Sequence, residues 1–258
     1  MILVLASRRD GGARRLVNAW GPGQARLLTA DDLSSPGWSI RTEDPSSSRA
    51  VVQGEVITVG ELTGVVTRLP AVTSHEVRRI QPEDRDYAAS EMTAFLNYWL
   101  SVLPCPVLNP PVPTGLCGPG WRSEQWVMVA RRLGIPVRPR SRDVQPYLRA
   151  ASGGRASSGK GTHAPPVGRA GFQVAVIGGR CIGGGEHILA EYAEALATAA
   201  GVPALTAFFD KHGSEVRFVD AHPWTNAFDP QVPDAMRDYF RRAGAASAPD
   251  THRGSVKP

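Results

Sequence analysis

Residues 151–168, ASGGRASSGKGTHAPPVG, hold five glycines and no large apolar side chain. Such a stretch buries too little apolar surface to offset the entropy of ordering it, and it reads as a flexible connection. Any hydrophobic core must therefore be built from the residues before it and after it. The full length of 258 residues permits one large or two modest domains around a sizeable core. Six Trp, seven Phe and five Tyr argue against disorder over most of the chain. No apolar run reaches the roughly 20 residues needed to cross a bilayer.

The N-terminal part alternates strand and helix signals. Residues 2–6 (ILVLA) form a short apolar run, and Leu16, Val17 and Trp20 follow at helical spacing, the opening of an open α/β sheet. Residues 34–48 are a Pro/Ser-rich connection. Segments 51–59 and 62–69, placed about Gly60, read as β-branched strands. Between Glu83 and Leu103, the residues Met92, Phe95, Leu96, Trp99, Leu100 and Leu103 form one apolar helical stripe, which is core patterning. Prolines 104 and 106 close that helix and lead into a short strand. Trp126, Val129, Ala130 and Leu133 predict a second amphipathic helix ending at Gly134.

Beyond residue 168 the pattern becomes hairpin, helix, hairpin, helix. Residues 172–177 and 180–182 flank Gly178-Gly179, a pair suited to a tight type I′ turn. Residues 186–200 predict an Ala-rich helix, and 204–209 with 215–221 a second hairpin about Asp210-Lys-His-Gly. Asp229-Pro230 predicts the cap and first residue of a last helix. The tail 243–258 is small and polar, and reads as disordered.

The formal charge of +5 is too small and too dispersed to imply nucleic acid. Lysine occurs only at Lys160, Lys211 and Lys257. Arg131, Arg132, Arg138, Arg140 and Arg142 make a local basic cluster, either a solvated face or a receiver of acidic groups. Gly183-Gly-Gly-Glu before a helix suits either a phosphate or a hairpin exit. Three widely spaced cysteines (105, 117, 181) give neither a disulfide framework nor a zinc pattern. The N-terminal apolar run is too short for a signal-peptide core, so a cytoplasmic location is the expectation.

Several of these elements occur in a familiar order: Gly64-Val-Val-Thr-Arg-Leu-Pro, the helix through Ser90-Glu-Met, Val107-Leu-Asn-Pro-Pro, Arg122-Ser-Glu-Gln-Trp, and Ala130-Arg-Arg-Leu-Gly-Ile-Pro. They resemble the N-terminal half of ATP-grasp ligases of the RimK and graspetide (microviridin-type) branch. The resemblance covers residues 1–150 and 169–242, where Ala204 to Pro223 resembles the final hairpin that carries the metal-binding acids. It implies an ATP-grasp-like α/β fold: an N-terminal open α/β (pre-ATP-grasp) domain, 1–110, a connecting helix and strand, 111–150, and a truncated C-terminal α+β core, 169–242. Segment 151–168 stands where the ATP lid would be.

The resemblance also implies ATP-dependent carboxylate activation with Mg²⁺, and here the residues depart from the pattern. Arg122 occupies the place of the first lysine, and Lys160 is the sole lysine near the second. The first acid-bearing strand reads Leu205-Thr-Ala-Phe-Phe-Asp, apolar at the expected inward position. Asp220 stands in place of the family's Glu, and His222 in place of its Asn. These two alternate onto one side of a strand, either as a residual metal or proton-transfer pair or as a structural hydrogen bond. The expectation is a pseudoenzyme, binding a peptide, a small acidic ligand or a partner ligase through the cleft, with Arg68, Arg138, Arg140 and Arg142 as ligand-binding candidates. Two alternatives stand beside it. One is an active carboxylate-amine ligase using ATP and Mg²⁺ through Arg122, Lys160, Asp220 and His222. The other is an obligate subunit completed by another chain, whether a partner or a second copy.

Overall fold

The computed structural model describes residues 1–138 and 171–247. Lys160, Arg140, Arg142, the segment 151–168 and the end of the tail lie outside the described residues. The described residues form a four-stranded parallel sheet, a four-stranded antiparallel sheet and a separate small hairpin.

The parallel sheet has the order β2-β1-β5-β6, with β1 at Ile2–Leu5, β2 at Ala25–Leu28, β5 at Gly64–Thr67 and β6 at Val107–Leu108. Its central strands are apolar on both faces, as a covered parallel sheet demands. Ile2, Val4 and Val66 enter one core cluster, while Leu3, Leu5 and Val65 enter another on the opposite face. The helix α1, Gly11–Trp20, covers the first face, and its N-terminus is capped by Asp10, which accepts from the Ala13 amide at 3.1 Å. The short helix α2, Ala30–Leu33, follows β2, and α3, Arg85–Ser101, covers the second face. Of the expected stripe, Leu96, Trp99 and Leu100 are buried, and Met92, Phe95 and Leu103 pack at its margin.

Segment 51–59 is not one strand. Gln53 and Gly54 both take positive φ, and the chain turns back there, so β3 (Arg49–Val52) pairs antiparallel with β4 (Glu55–Thr58). The β2 and α2 elements went unanticipated, since four residues carry too little periodicity to be read.

The helix α4, Ser123–Arg132, crosses to the second sheet, whose order is β10-β9-β7-β8. Here β7 is Gly171–Ile177, β8 is Arg180–Gly183, β9 is Ala204–His212 and β10 is Glu215–His222. Gly178 and Gly179 adopt φ of 54° and 82°, the mirror-turn geometry that the Gly-Gly pair predicts. The helices α4 and α5 (His187–Ala200) cover one face, with Trp126, Leu189, Leu196, Phe209 and Phe218 between them and the sheet. The last helix α6 runs Val232–Ser247. It begins two residues after Pro230, because Asp229 caps a preceding turn through its contact to the Gln231 amide at 2.9 Å. Residues 243–247, expected in the tail, form the last turn of α6.

One core cluster joins the two sheets: Ile2 and Val4 meet Ala175, Ile177, Met236 and Phe240. Trp20 adds a hydrogen bond from Nε1 to the Pro233 carbonyl at 3.0 Å. A side chain on Gly64 would overlap the Phe240 ring, with a Cβ only 2.3 Å from Cδ1, so β5 needs glycine there for α6 to dock.

Candidate functional site

Asn109, in the Val-Leu-Asn-Pro-Pro motif, fastens the seam between the sheets. It is buried with φ of 60°, a conformation that asparagine tolerates better than other side chains. Its amide nitrogen donates to the carbonyls of Ala204 and Pro223, and its Oδ1 accepts from the Ala204 amide at 2.8 Å. Asn109 thus holds the exit of β10 against the start of β9.

Arg68, at the end of β5, makes a second tie. Its Nε lies 2.8 Å from Asp10 Oδ2, and its NH1 donates to the Thr225 carbonyl at 3.0 Å. Burial alone would raise the Asp10 carboxyl, but Arg68 and the Gly12 and Ala13 amides outweigh it and hold the group below its ordinary value. Arg68 is 12% exposed, and through Asp10 and the Thr225 carbonyl its guanidinium ties α1 to the loop after β10.

Asp220 and His222 lie on β10 and face a cavity of about 220 Å³ beside Pro70, Cys117, Pro119, Trp121, Ser123 and Trp224. A bulge between Phe218 and Asp220 resets the strand, so that Phe218 and Ala221 stay in the core while Asp220 and His222 turn to the cavity. No hydrogen bond between the two is found among the described residues. Asp220 Oδ2 accepts from Ser123 Oγ at 2.6 Å, and Oδ1 accepts from the Ala221 amide at 2.9 Å. His222 stacks on Trp224 at 5.0 Å and 24° and touches Phe208 at 5.1 Å, while its buried Nδ1 has no hydrogen-bond partner. Burial pushes its imidazole down to about 4, so it is neutral at physiological pH.

In the hairpin register Phe208 pairs directly with Asp220, and Thr206 with His222. Thr206 Oγ1 donates to the Trp224 carbonyl at 2.7 Å, fixing the turn that places the indole. The position across from the one carboxylate is therefore an aromatic ring. Mg²⁺ needs a near-octahedral shell of oxygens, usually with one or two carboxylates. Among the described residues no group of three or more His, Cys, Asp or Glu is placed to hold a metal. Asp220, with Phe208 opposite and a neutral imidazole beside it, does not fit that ion.

The other candidates fall elsewhere. Arg122 is exposed at the start of α4, where its backbone N–H donates to Gln125 Oε1 at 2.9 Å; its neighbours Trp121 and Ser123 line the cavity instead. Arg138 sits 3.5 Å from Asp210, further along the same face of β9. Gly183, Gly184 and Gly185 all take positive φ at the hairpin exit. The thiols are unreactive in character, with burial pushing Cys105 to about 11 and Cys117 to about 12. Burial and the neighbouring Glu194 carboxylate raise Cys181 to about 12. Sequence reasoning missed Ser123, Trp121 and Trp224. The Ser123–Asp220 bond spans 97 positions, and no local pattern announces it.

No family model matches the chain, and no curated protein matches it. Solved structures do. The macrocyclase MdnC bound with precursor peptide MdnA, from Microcystis aeruginosa MRC, aligns with a TM-score of 0.64 at 11% identity over 94% of this chain and 99% of that one. The ATP-grasp ligase PsnB, complexed with minimal precursor, Mg and ADP, aligns at 0.58 and 14% identity over 93% and 98%. A RiPP-associated ATP-grasp ligase from Chryseobacterium gregarium, in complex with ADP and a leader and core peptide, aligns at 0.59 and 8% identity over 93% and 96%. The chain has the fold of these ATP-grasp ligases, a mixed α/β architecture with parallel and antiparallel sheets.

Proposed function

We propose that this ATP-grasp-fold protein is a binding or accessory protein that has lost the ligase reaction and engages a peptide through the cleft around β10. The observation that carries the reading is the pairing of Asp220 with Phe208. Phosphoryl transfer from ATP depends on metal ions and cations arranged along the phosphates. A lone carboxylate tied to Ser123, facing a phenyl ring, supplies no such arrangement. The peptide partner is suggested by the aligned structures, which hold precursor, leader or core peptides. The two sheets support the division into an N-terminal unit, 1–110, and a C-terminal unit, 169–242.

The test is nucleotide turnover by the purified chain with ATP and Mg²⁺, with and without candidate peptides, followed by ³¹P NMR. No release of ADP is expected. Mg²⁺-dependent release that Asp220→Ala abolishes would overturn the reading and favour the active carboxylate-amine ligase. Release that appears only after a second protein is added would favour the subunit completed by another chain.

A further inference from the structure

The cavity beside Asp220 has walls unlike those of a phosphate or metal site. Trp121 and Trp224 are half-buried, and Pro119 and Pro70 complete an apolar lining. Trp224 is braced by His222 on one face, and Trp121 packs edge-on against Trp126 at 4.7 Å. Among the described residues, Asp220 is the single carboxylate that lines the cavity, and no described arginine or lysine lines it. Arg68, whose charge reaches His222 and Cys117, is already balanced by Asp10.

Two indole rings beside one carboxylate are complementary to an organic cation, which the ring quadrupoles attract and the carboxylate neutralises. An alkylammonium or guanidinium also brings an apolar stem that suits proline and tryptophan walls. A neutral apolar side chain would instead strip water from Asp220, leaving only the Ser123 hydroxyl and the Ala221 amide to compensate. We propose that this cavity receives one organic cation, the ammonium or guanidinium of a basic side chain of the peptide partner, held against the indole walls and balanced by Asp220. The proposal rests on the peptide-binding reading above.

Titration of the intact protein with N-acetyl-lysinamide and N-acetyl-argininamide tests it, read by tryptophan fluorescence and by the indole N–H resonances of Trp121 and Trp224. Saturable shifts of those two resonances are expected. The neutral isostere N-acetyl-norleucinamide binds at least tenfold more weakly, as does the cationic probe to Asp220→Asn, while Asp220→Glu recovers part of the affinity. Circular dichroism of each variant separates lost binding from lost fold. Equal or tighter binding of norleucinamide or N-acetyl-phenylalaninamide overturns the proposal. So do the absence of saturable shifts at Trp121 and Trp224 and displacement of the probe by millimolar MgCl₂. ATP turnover by a preparation that binds the cation would overturn the non-catalytic reading alone, and failure of cation binding without turnover would overturn this proposal alone.

Discussion

Phe208 on β9 and Asp220 on β10 are directly opposed in the antiparallel register, one aromatic ring facing the only carboxylate that the described residues place in the cavity wall. Opposed residues on one face of such a pair have Cβ atoms roughly 4.5–5.5 Å apart. An acid at 208 would thus share a site with Asp220. The double variant Phe208→Asp/His222→Asn supplies two carboxylates and an amide oxygen, the hard donor set that Mg²⁺ takes. At 10 mM MgCl₂ the variant is expected to gain roughly 2–4 °C in Tm, as a millimolar site would give. The wild type should not move. Equal stabilisation of both proteins in differential scanning fluorimetry would show that Phe208 does not decide metal binding.

Asn109 spends its side chain on three backbone groups across the seam between the sheets. Asn109→Ala strands the Ala204 amide and the Ala204 and Pro223 carbonyls and puts alanine, which tolerates positive φ less well than asparagine, at φ of 60°. A loss of about 2–4 kcal/mol is expected from urea unfolding. Asn109→Gly relieves only the backbone, so it should recover well under half of that loss. Full recovery in glycine would mean that strain, and not the hydrogen bonds, set the cost.

Much of the fold was legible because its apolar signals are local. The β1 run, the α3 stripe and the Gly178-Gly179 turn each carry their own period or φ requirement within a few residues. The N-terminus of α6 was misplaced because Asp229 has the chemistry of a helix cap but uses it on a turn. The site was legible only in part. Asp220 and His222 were identified on β10, but their partners are Ser123 on α4 and Phe208 and Trp224 nearby, chosen by tertiary docking. Arg68 drew attention as a ligand residue for its place after β5, yet its partner Asp10 lies 58 positions away and no spacing rule connects them.

His222 gives stability a pH dependence whose sign follows from burial. Its folded value, about 4, lies below the ordinary 6.5, so the unfolded chain takes up a proton first as pH falls. The contribution is complete above about 6.5 and is lost progressively down to about 4. Asp10 is also depressed, so its contribution is lost in a more acidic window, below its ordinary value of 3.8. Urea midpoints at pH 7, 5.5 and 4.5 should fall for the wild type and fall less for His222→Gln, which cannot take up the proton. An identical slope in the two proteins would assign the acid sensitivity elsewhere.

Gly64 and Phe240 set how closely α6 approaches the parallel sheet. A methyl group on Gly64 would stand 2.3–2.6 Å from three atoms of the Phe240 ring, and that ring is buried in the cluster shared by both sheets. Because the ring is packed there, Gly64→Ala must push α6 outward or force Phe240 off its rotamer. Overpacking of this kind costs about 1–3 kcal/mol. Phe240→Leu alone loses ring packing against Ile2 and Met236, yet in combination with Gly64→Ala it opens the space the methyl needs. The double variant is therefore expected to be more stable than the sum of the two single losses predicts, with a coupling of about 1 kcal/mol in a double-mutant cycle. Strict additivity in guanidinium unfolding would mean that α6 shifts freely on the sheet, and that the seam is held by the ties of Trp20 to Pro233 and of Asn109 to Ala204.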